Sequence, residues 1–253
     1  NGYDNMWRLR ENIKMNGNLY PTHGIGPIAQ CMNINCGDKM NHLVAMQSND
    51  FMMAEKAKEL AAKDDFFKEF VGKRYRGNMD TTLIKTEKGK TLMVQHDVSS
   101  PRPYSRIHLL SGTKGFAQKY PTEGIAFGHS YVKPEELQKL YDQYTPELVK
   151  FIGAQAKDVG GHGGMDFMMD WRLIDCLRNG LPLDQSVYDS AVWSSIVPLS
   201  VESVAKNSRT VDIPDFTRGN WKTNQPHDMT LNGGGNTTIR PKVDAKDVQL
   251  DIK

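Results

Sequence analysis

The 253-residue sequence predicts an α+β fold: a mainly antiparallel, open-faced sheet with helices packed on one face. Two observations carry this reading. Residues 78–86 (NMDTTLIKT) and 90–98 (KTLMVQHDV) alternate polar and apolar side chains around Glu87-Lys88-Gly89, the pattern of a hairpin. Residues 105–112 and 115–121 form a second pair around Gly112-Thr113-Lys114-Gly115. Strands joined by hairpins argue for an antiparallel sheet, not a doubly wound parallel one.

The remaining elements follow in chain order. Residues 7–15 are charged and helix-compatible, and Asn16-Gly17-Asn18 stops them. Gly26-Pro27 opens an apolar pattern (Ile28, Ala29, Met32, Ile34) that ends near Cys36-Gly37-Asp38, the expected polarity of a helix. Residues 42–48 read as a strand, and residues 51–63, rich in Ala, Glu, Lys, Met and Leu, as a helix. Pro134 opens a helical stretch to about residue 155, with Leu137, Leu140, Tyr141 and Tyr144 at three-and-four spacing. Further helices are expected at 165–179 and 186–206, separated by Gly180-Leu181-Pro182, and a short strand at 210–214. From Arg218 to residue 253 the chain is polar and Gly/Asn-rich, and reads as a tail wrapping on the 1–217 domain.

The net charge is only +2, which gives no electrostatic reason to expect nucleic acid or a membrane surface as partner. No apolar run reaches the roughly 18–20 residues of a membrane span. Three cysteines (Cys31, Cys36, Cys176) cannot all pair, and no histidines stand at ligand spacing beside them, so neither a disulfide scaffold nor a metal site is expected. No G-x-G-x-x-G follows a strand, so the chain carries no dinucleotide-binding fingerprint of its own.

Four stretches could carry chemistry. In "GNLYPTHGIGP" (17–27), Tyr20 and His23 stand three residues apart between glycines. A histidine just before a helix meets the positive end of the dipole, which favours the neutral, proton-accepting imidazole. The alternative is a satisfied loop histidine beside a packing tyrosine. Arg8 beside Trp7 offers a planar fork of donors next to an indole suited to a sugar's apolar face, or simply a solvated helix face. "SSPRPYSR" (99–106) presents Tyr104 on a proline-stiffened loop. "GGHGGMD" (160–166) places His162 among four glycines before a helix, either as a ligand-presenting loop or as a tight connector.

Three blocks together, "WRLRENIKMNGNLYPTHGIGPIAQCMNIN", "SSPRPYSR" and "GHGGMDFMMDWRLIDCLRNGLPLD", resemble the NAD-dependent α-N-acetylgalactosaminidases of glycoside hydrolase family 109, within the Gfo/Idh/MocA superfamily. The resemblance implies a substrate domain (1–217) whose N-terminal Rossmann domain, the main holder of NAD, is missing from this chain. It implies hydrolysis of terminal α-N-acetylgalactosaminides: NAD oxidises the sugar at C3, a base removes the C2 proton, the glycosidic oxygen leaves, water adds, and the hydride returns. It further implies that Arg8, Tyr20, Pro21, Thr22, His23 and Tyr104 contact substrate, with His23 as acid/base and Tyr20 assisting, and that Trp7 and His162 border the same cleft. Competing expectations are a sugar oxidoreductase of the same superfamily, or a non-catalytic module that forms a homo-oligomer through its open sheet face.

Overall fold

The computed structural model describes residues 6–97, 99–226 and 230–231. The described residues divide into two compact units, those up to 123 with 187–225 and those of 124–186 with 226 and 230–231.

In the first unit, helix α1 (Met6–Lys14) and helix α2 (Thr22–Cys31) precede strand β1 (Met40–Gln47). Helix α3 (Met53–Ala61) and a 3-10 helix (Asp65–Phe70) lead to β2 (Met79–Thr86), β3 (Thr91–Asp97), β4 (Leu109–Ser111) and β5 (Phe116–Gln118). The second unit then intervenes. It holds β6 (Gly124–Ala126), α4 (Pro134–Tyr144), α5 (Glu147–Val159), the 3-10 turn His162–Gly164 and α6 (Met165–Asn179). The chain returns to the first unit through α7 (Val187–Ala205) and β7 (Val211–Asp212).

The main sheet has the order β3-β2-β1-β7, and every ladder in it is antiparallel. The predicted hairpin is present: Thr86 N–H bonds the Lys90 carbonyl, and Gly89 adopts φ +84, a left-handed value that glycine takes without a Cβ clash. Strand alternation sends Leu43, Ala45, Ile84, Leu92 and Val94 to one face, where they meet Ile25 and Ala29 of α2 and Val192, Trp193 and Ile196 of α7. Pro198 sits inside α7 and costs about 3 kcal/mol there. Burial of Val192, Trp193 and Ile196, each contributing about 1.5–3 kcal/mol, outweighs that cost and keeps α7 on the sheet. The opposite face is open, with Met46, Leu83 and Met93 exposed and Leu83 in register with both Val44 and Met93. The fold is therefore α+β with an open-faced antiparallel sheet, as the alternation pattern predicted.

A second core joins α1 to α3 through Leu9, Met53, Ala57, Leu60, Phe67, Phe70 and Tyr75. Arg76, fully buried, clamps α1 by donating its N–H to the Asn12 carbonyl (2.8 Å) and its Nε to Asn12 Oδ1 (2.6 Å). In the second unit, α5 and α6 pack through Ile152, Gly153, Ala156 and Cys176, with Phe151 edge-on to Trp171 at 5.7 Å.

Three predictions differ from the structure. Helix α2 begins at Thr22, one turn before Gly26-Pro27, because Pro21 caps it: its carbonyl accepts from the N–H groups of Gly24 and Ile25. The expected 134–155 helix is two helices, since Thr145 is extended (ψ 125) before Pro146, a restriction proline imposes on its predecessor. Strands β4 and β5 are only three residues long. In the tail, Trp221 is buried and its carbonyl accepts from Gly37 N–H at 2.6 Å; residues 232–253 lie outside the described residues.

Candidate functional site

The segment before α2 is pinned from three sides. Gly17 has φ +85, and a Cβ there would stand 2.8 Å from both Ser200 Oγ and the backbone nitrogen of Val201. Its N–H donates to Gln47 Oε1 (3.3 Å), and the N–H of the fully buried Asn18 donates to Ser200 Oγ (2.9 Å). Asn18 Nδ2 donates to the Val94 carbonyl (3.4 Å). The loop thus hangs from β1, β3 and α7 at once, which fixes the direction in which residues 19–23 leave it.

Tyr20 and His23 follow on this support. Their rings stack with centroids 4.7 Å apart and an interplanar angle of 27°. Pro21 is buried and Thr22 is the first helical residue, so His23 lies in the first turn of α2 rather than ahead of it. Gly26 lets that turn approach α7, since a Cβ there would come within 3.3 Å of the Trp193 ring. Tyr20 and His23 are both exposed, available to a ligand.

Tyr104 reaches the same place from the loop after β3. The Asp97 carboxylate accepts from the N–H groups of Ser99 (3.1 Å) and Ser100 (3.0 Å), and faces Arg102 Nε at 3.7 Å. Burial pushes this carboxyl up, but the Ser100 and Ser99 hydrogen bonds and the Arg102 charge outweigh it and hold the carboxyl below its ordinary range. The stiffened loop presents Tyr104 to solvent, with Arg106 bonded to its hydroxyl and lying 5.7 Å over its ring. Tyr104 meets Tyr120 edge-on (6.0 Å, 89°), Tyr120 meets the His108 ring (6.0 Å, 65°), and His108 Nε2 lies 3.1 Å from the His23 carbonyl oxygen. Tyr20, His23, His108, Tyr120 and Tyr104 therefore form one contiguous wall of phenols and imidazoles.

Of the residues singled out in the sequence, this wall unites Tyr20, His23 and Tyr104; Pro21, buried, and Thr22, half-buried, form the turn between the first two. Trp7 and Arg8 fall on α1, and their side chains lie outside the described residues. His162 belongs to the second unit, where Nδ1 sits 2.9 Å from Asp166 Oδ2. Its loop is built from five consecutive left-handed residues, Gly160 to Gly164 with φ between 47 and 96. No sequence motif points to His108 or Tyr120. Their distance along the chain from His23 hides the contact, although a proline four residues after His23 is a local signal, since it has no N–H for the His23 carbonyl.

Among the described residues, no group of three or more His, Cys, Asp or Glu could hold a metal ion. A dinucleotide cradle needs a strand, a glycine turn and a helix N-terminus in succession. The glycine run at 160–164 follows α5, not a strand, and the main sheet is antiparallel. The described residues therefore contain no such cradle for NAD.

The first unit is thus an antiparallel α+β unit bearing a phenol–imidazole wall, with no nucleotide cradle among the described residues. The family model for "Glycosyl hydrolase 109, C-terminal domain" matches residues 1–223, and the chain belongs to that family. An "Alpha-N-acetylgalactosaminidase" of Shewanella oneidensis (strain MR-1) is 48% identical over 225 residues, covering 87% of this chain and 49% of that protein. "Glycosyl hydrolase family 109 protein 2" of Shewanella sp. (strain ANA-3) is 46% identical over 224 residues, with the same coverage. The chain spans about half the length of the curated relatives it matches.

Proposed function

We propose that this chain supplies the sugar-binding and proton-handling half of a glycoside hydrolase that cleaves terminal α-N-acetylgalactosaminides. The observation that carries the reading is the contiguous wall from Tyr20 to Tyr104, standing on a chain of glycosyl hydrolase family 109. His23 exchanges a proton with the sugar as acid/base, and Tyr20, stacked on it, orients the sugar or passes the proton on. Tyr104 and Arg8 bind hydroxyls or the N-acetyl group, with Thr22 and Trp7 completing the contact surface and the buried Pro21 setting the turn between Tyr20 and His23. NAD, which the family resemblance implies, would be held mainly by polypeptide other than the residues described.

The test uses the enzyme with its cofactor domain and p-nitrophenyl α-N-acetylgalactosaminide. His23→Ala should lower kcat about 10²–10⁴-fold, the usual contribution of a positioned acid/base group. Undiminished activity in that variant removes His23 from the mechanism. Stoichiometric NADH formation from free N-acetylgalactosamine would instead identify a sugar oxidoreductase.

We also propose that the open sheet face pairs with a second copy of the chain, since Val44, Leu83 and Met93 form an apolar cross-strand row there. Sedimentation should show a dimer that Leu83→Lys dissociates; a monomeric wild type at micromolar concentration would refute it.

A further inference from the structure

In an α-helix the N–H of residue i donates to the carbonyl of residue i−4. Position 27 is proline inside α2 and has no N–H to give, so the carbonyl it would have served is that of His23. His108 Nε2 stands 3.1 Å from that same oxygen. A carbonyl only accepts, so Nε2 carries the hydrogen and the tautomer of His108 is set by the contact. The proline in α2 and the imidazole 85 residues later are thus two parts of one arrangement.

The backbone around His108 is shaped to deliver the ring. Ile107 (φ 59) and His108 (φ 44) are both left-handed, a conformation unfavourable for any residue with a Cβ and most of all for β-branched isoleucine. Three hydrogen bonds hold them there: His108 N–H to the Arg106 carbonyl (2.7 Å), Lys119 N–H to the His108 carbonyl (3.1 Å) and Tyr120 N–H to the Ile107 carbonyl (3.0 Å). Tyr120 also touches the His108 ring on one side and Tyr104 on the other. Strain of this kind persists only where surrounding structure over-determines it, and here it places one imidazole between two halves of the wall.

We propose that His108 is a positioning residue: through the His23 carbonyl, which Pro27 has no N–H to serve, it locks the Tyr20–His23 turn to the hairpin that carries Tyr120 and supports Tyr104. The consequence for catalysis rests on the functional reading above, while the locking itself does not.

Two measurements separate these. Long-range 1H–15N imidazole spectra of the 253-residue chain should show His108 as the Nε2-protonated tautomer, and His108→Ala should shift the ring signals of His23 and Tyr20. An Nδ1-protonated His108, or unmoved His23 and Tyr20 signals, overturns the proposal. In the enzyme with its cofactor domain, His108→Ala should lower kcat on p-nitrophenyl α-N-acetylgalactosaminide about tenfold, a loss expected from misplacing a reacting group by a fraction of an ångström. His108→Gln, which keeps a donor near the same position, should recover most of it. Pro27→Ala restores the helical N–H, so the loss from His108→Ala should shrink to less than about threefold in that background, the non-additivity of coupled sites. Equal losses in both backgrounds overturn the proposal. An enzyme that cleaves no galactosaminide defeats the functional reading alone, and the spectra still decide the positioning role.

Discussion

Asn18 and Ser200 are 182 residues apart in sequence, yet the N–H of Asn18 donates to Ser200 Oγ at 2.9 Å, and Ser200 in turn donates to the Val197 carbonyl. This bond hangs the segment that presents Tyr20 and His23 on the helix beneath the sheet. Ser200→Ala should cost about 1–3 kcal/mol, because it strands a buried N–H. Gly17→Ala should cost at least as much, since it adds a left-handed Cβ pressed against the Val201 backbone. Urea midpoints of the two variants check this, with the slope unchanged.

Asp80 should make stability fall as pH rises from about 4 to 6. It is fully buried on β2, and burial pushes its carboxyl from 3.8 up to about 6, against the Thr82 hydroxyl and the Arg76 charge. A carboxyl with a raised folded value favours folding below the unfolded value and loses that contribution as it ionises. The shift corresponds to about 3 kcal/mol at most. Asp80→Asn should therefore gain relative stability between pH 4 and 6 and hold it above; a wild-type-minus-variant difference that is flat with pH refutes the argument.

Asp97 should behave in the opposite sense. Its folded value is depressed, so the contribution is present above the ordinary carboxylate range and is lost as pH falls through the folded value. Asp97→Ala removes the acceptor for Ser99 and Ser100 and frees the loop bearing Tyr104. Limited proteolysis between residues 99 and 106 should accelerate in the variant, and in wild type only at acid pH.

Arg172 should dominate the stability of the second unit. It is buried, bonds Asp184 through Nε (2.9 Å) and Nη2 (2.9 Å), and meets Asp175 at 3.1 Å. Removing one partner of a buried pair costs about 3–5 kcal/mol, because the remaining charges are left uncompensated. Arg172→Met should lower the unfolding temperature far more than Lys58→Met, which breaks an exposed pair on α3. Calorimetry of the two variants compares them directly.

Much of the fold was legible because its signals are local. Alternation with Gly89 at the turn specified the β2–β3 hairpin, Pro134 marked the first turn of α4, and Gly180, left-handed at φ 64, ended α6. The break at Pro146 was also local, but the apolar spacing across it resembled one continuous helix. The start of α2 misled for the opposite reason: Pro27 looked like a first-turn proline, whereas Pro21 holds the cap and Pro27 lies inside.

The sequence by itself determined the secondary-structure class, the sheet's inward and outward faces, and the pairing of Tyr20 with His23, since each depends on spacings of two to four residues. Which residues join them was decided by tertiary structure. His108, Tyr120 and Ser200 reach the wall only because β-pairing and helix packing bring distant segments within hydrogen-bond range. A contact across 85 residues has no period to read, and it exists because hydrophobic burial of α2 and α7 against the sheet fixes where those chains pass.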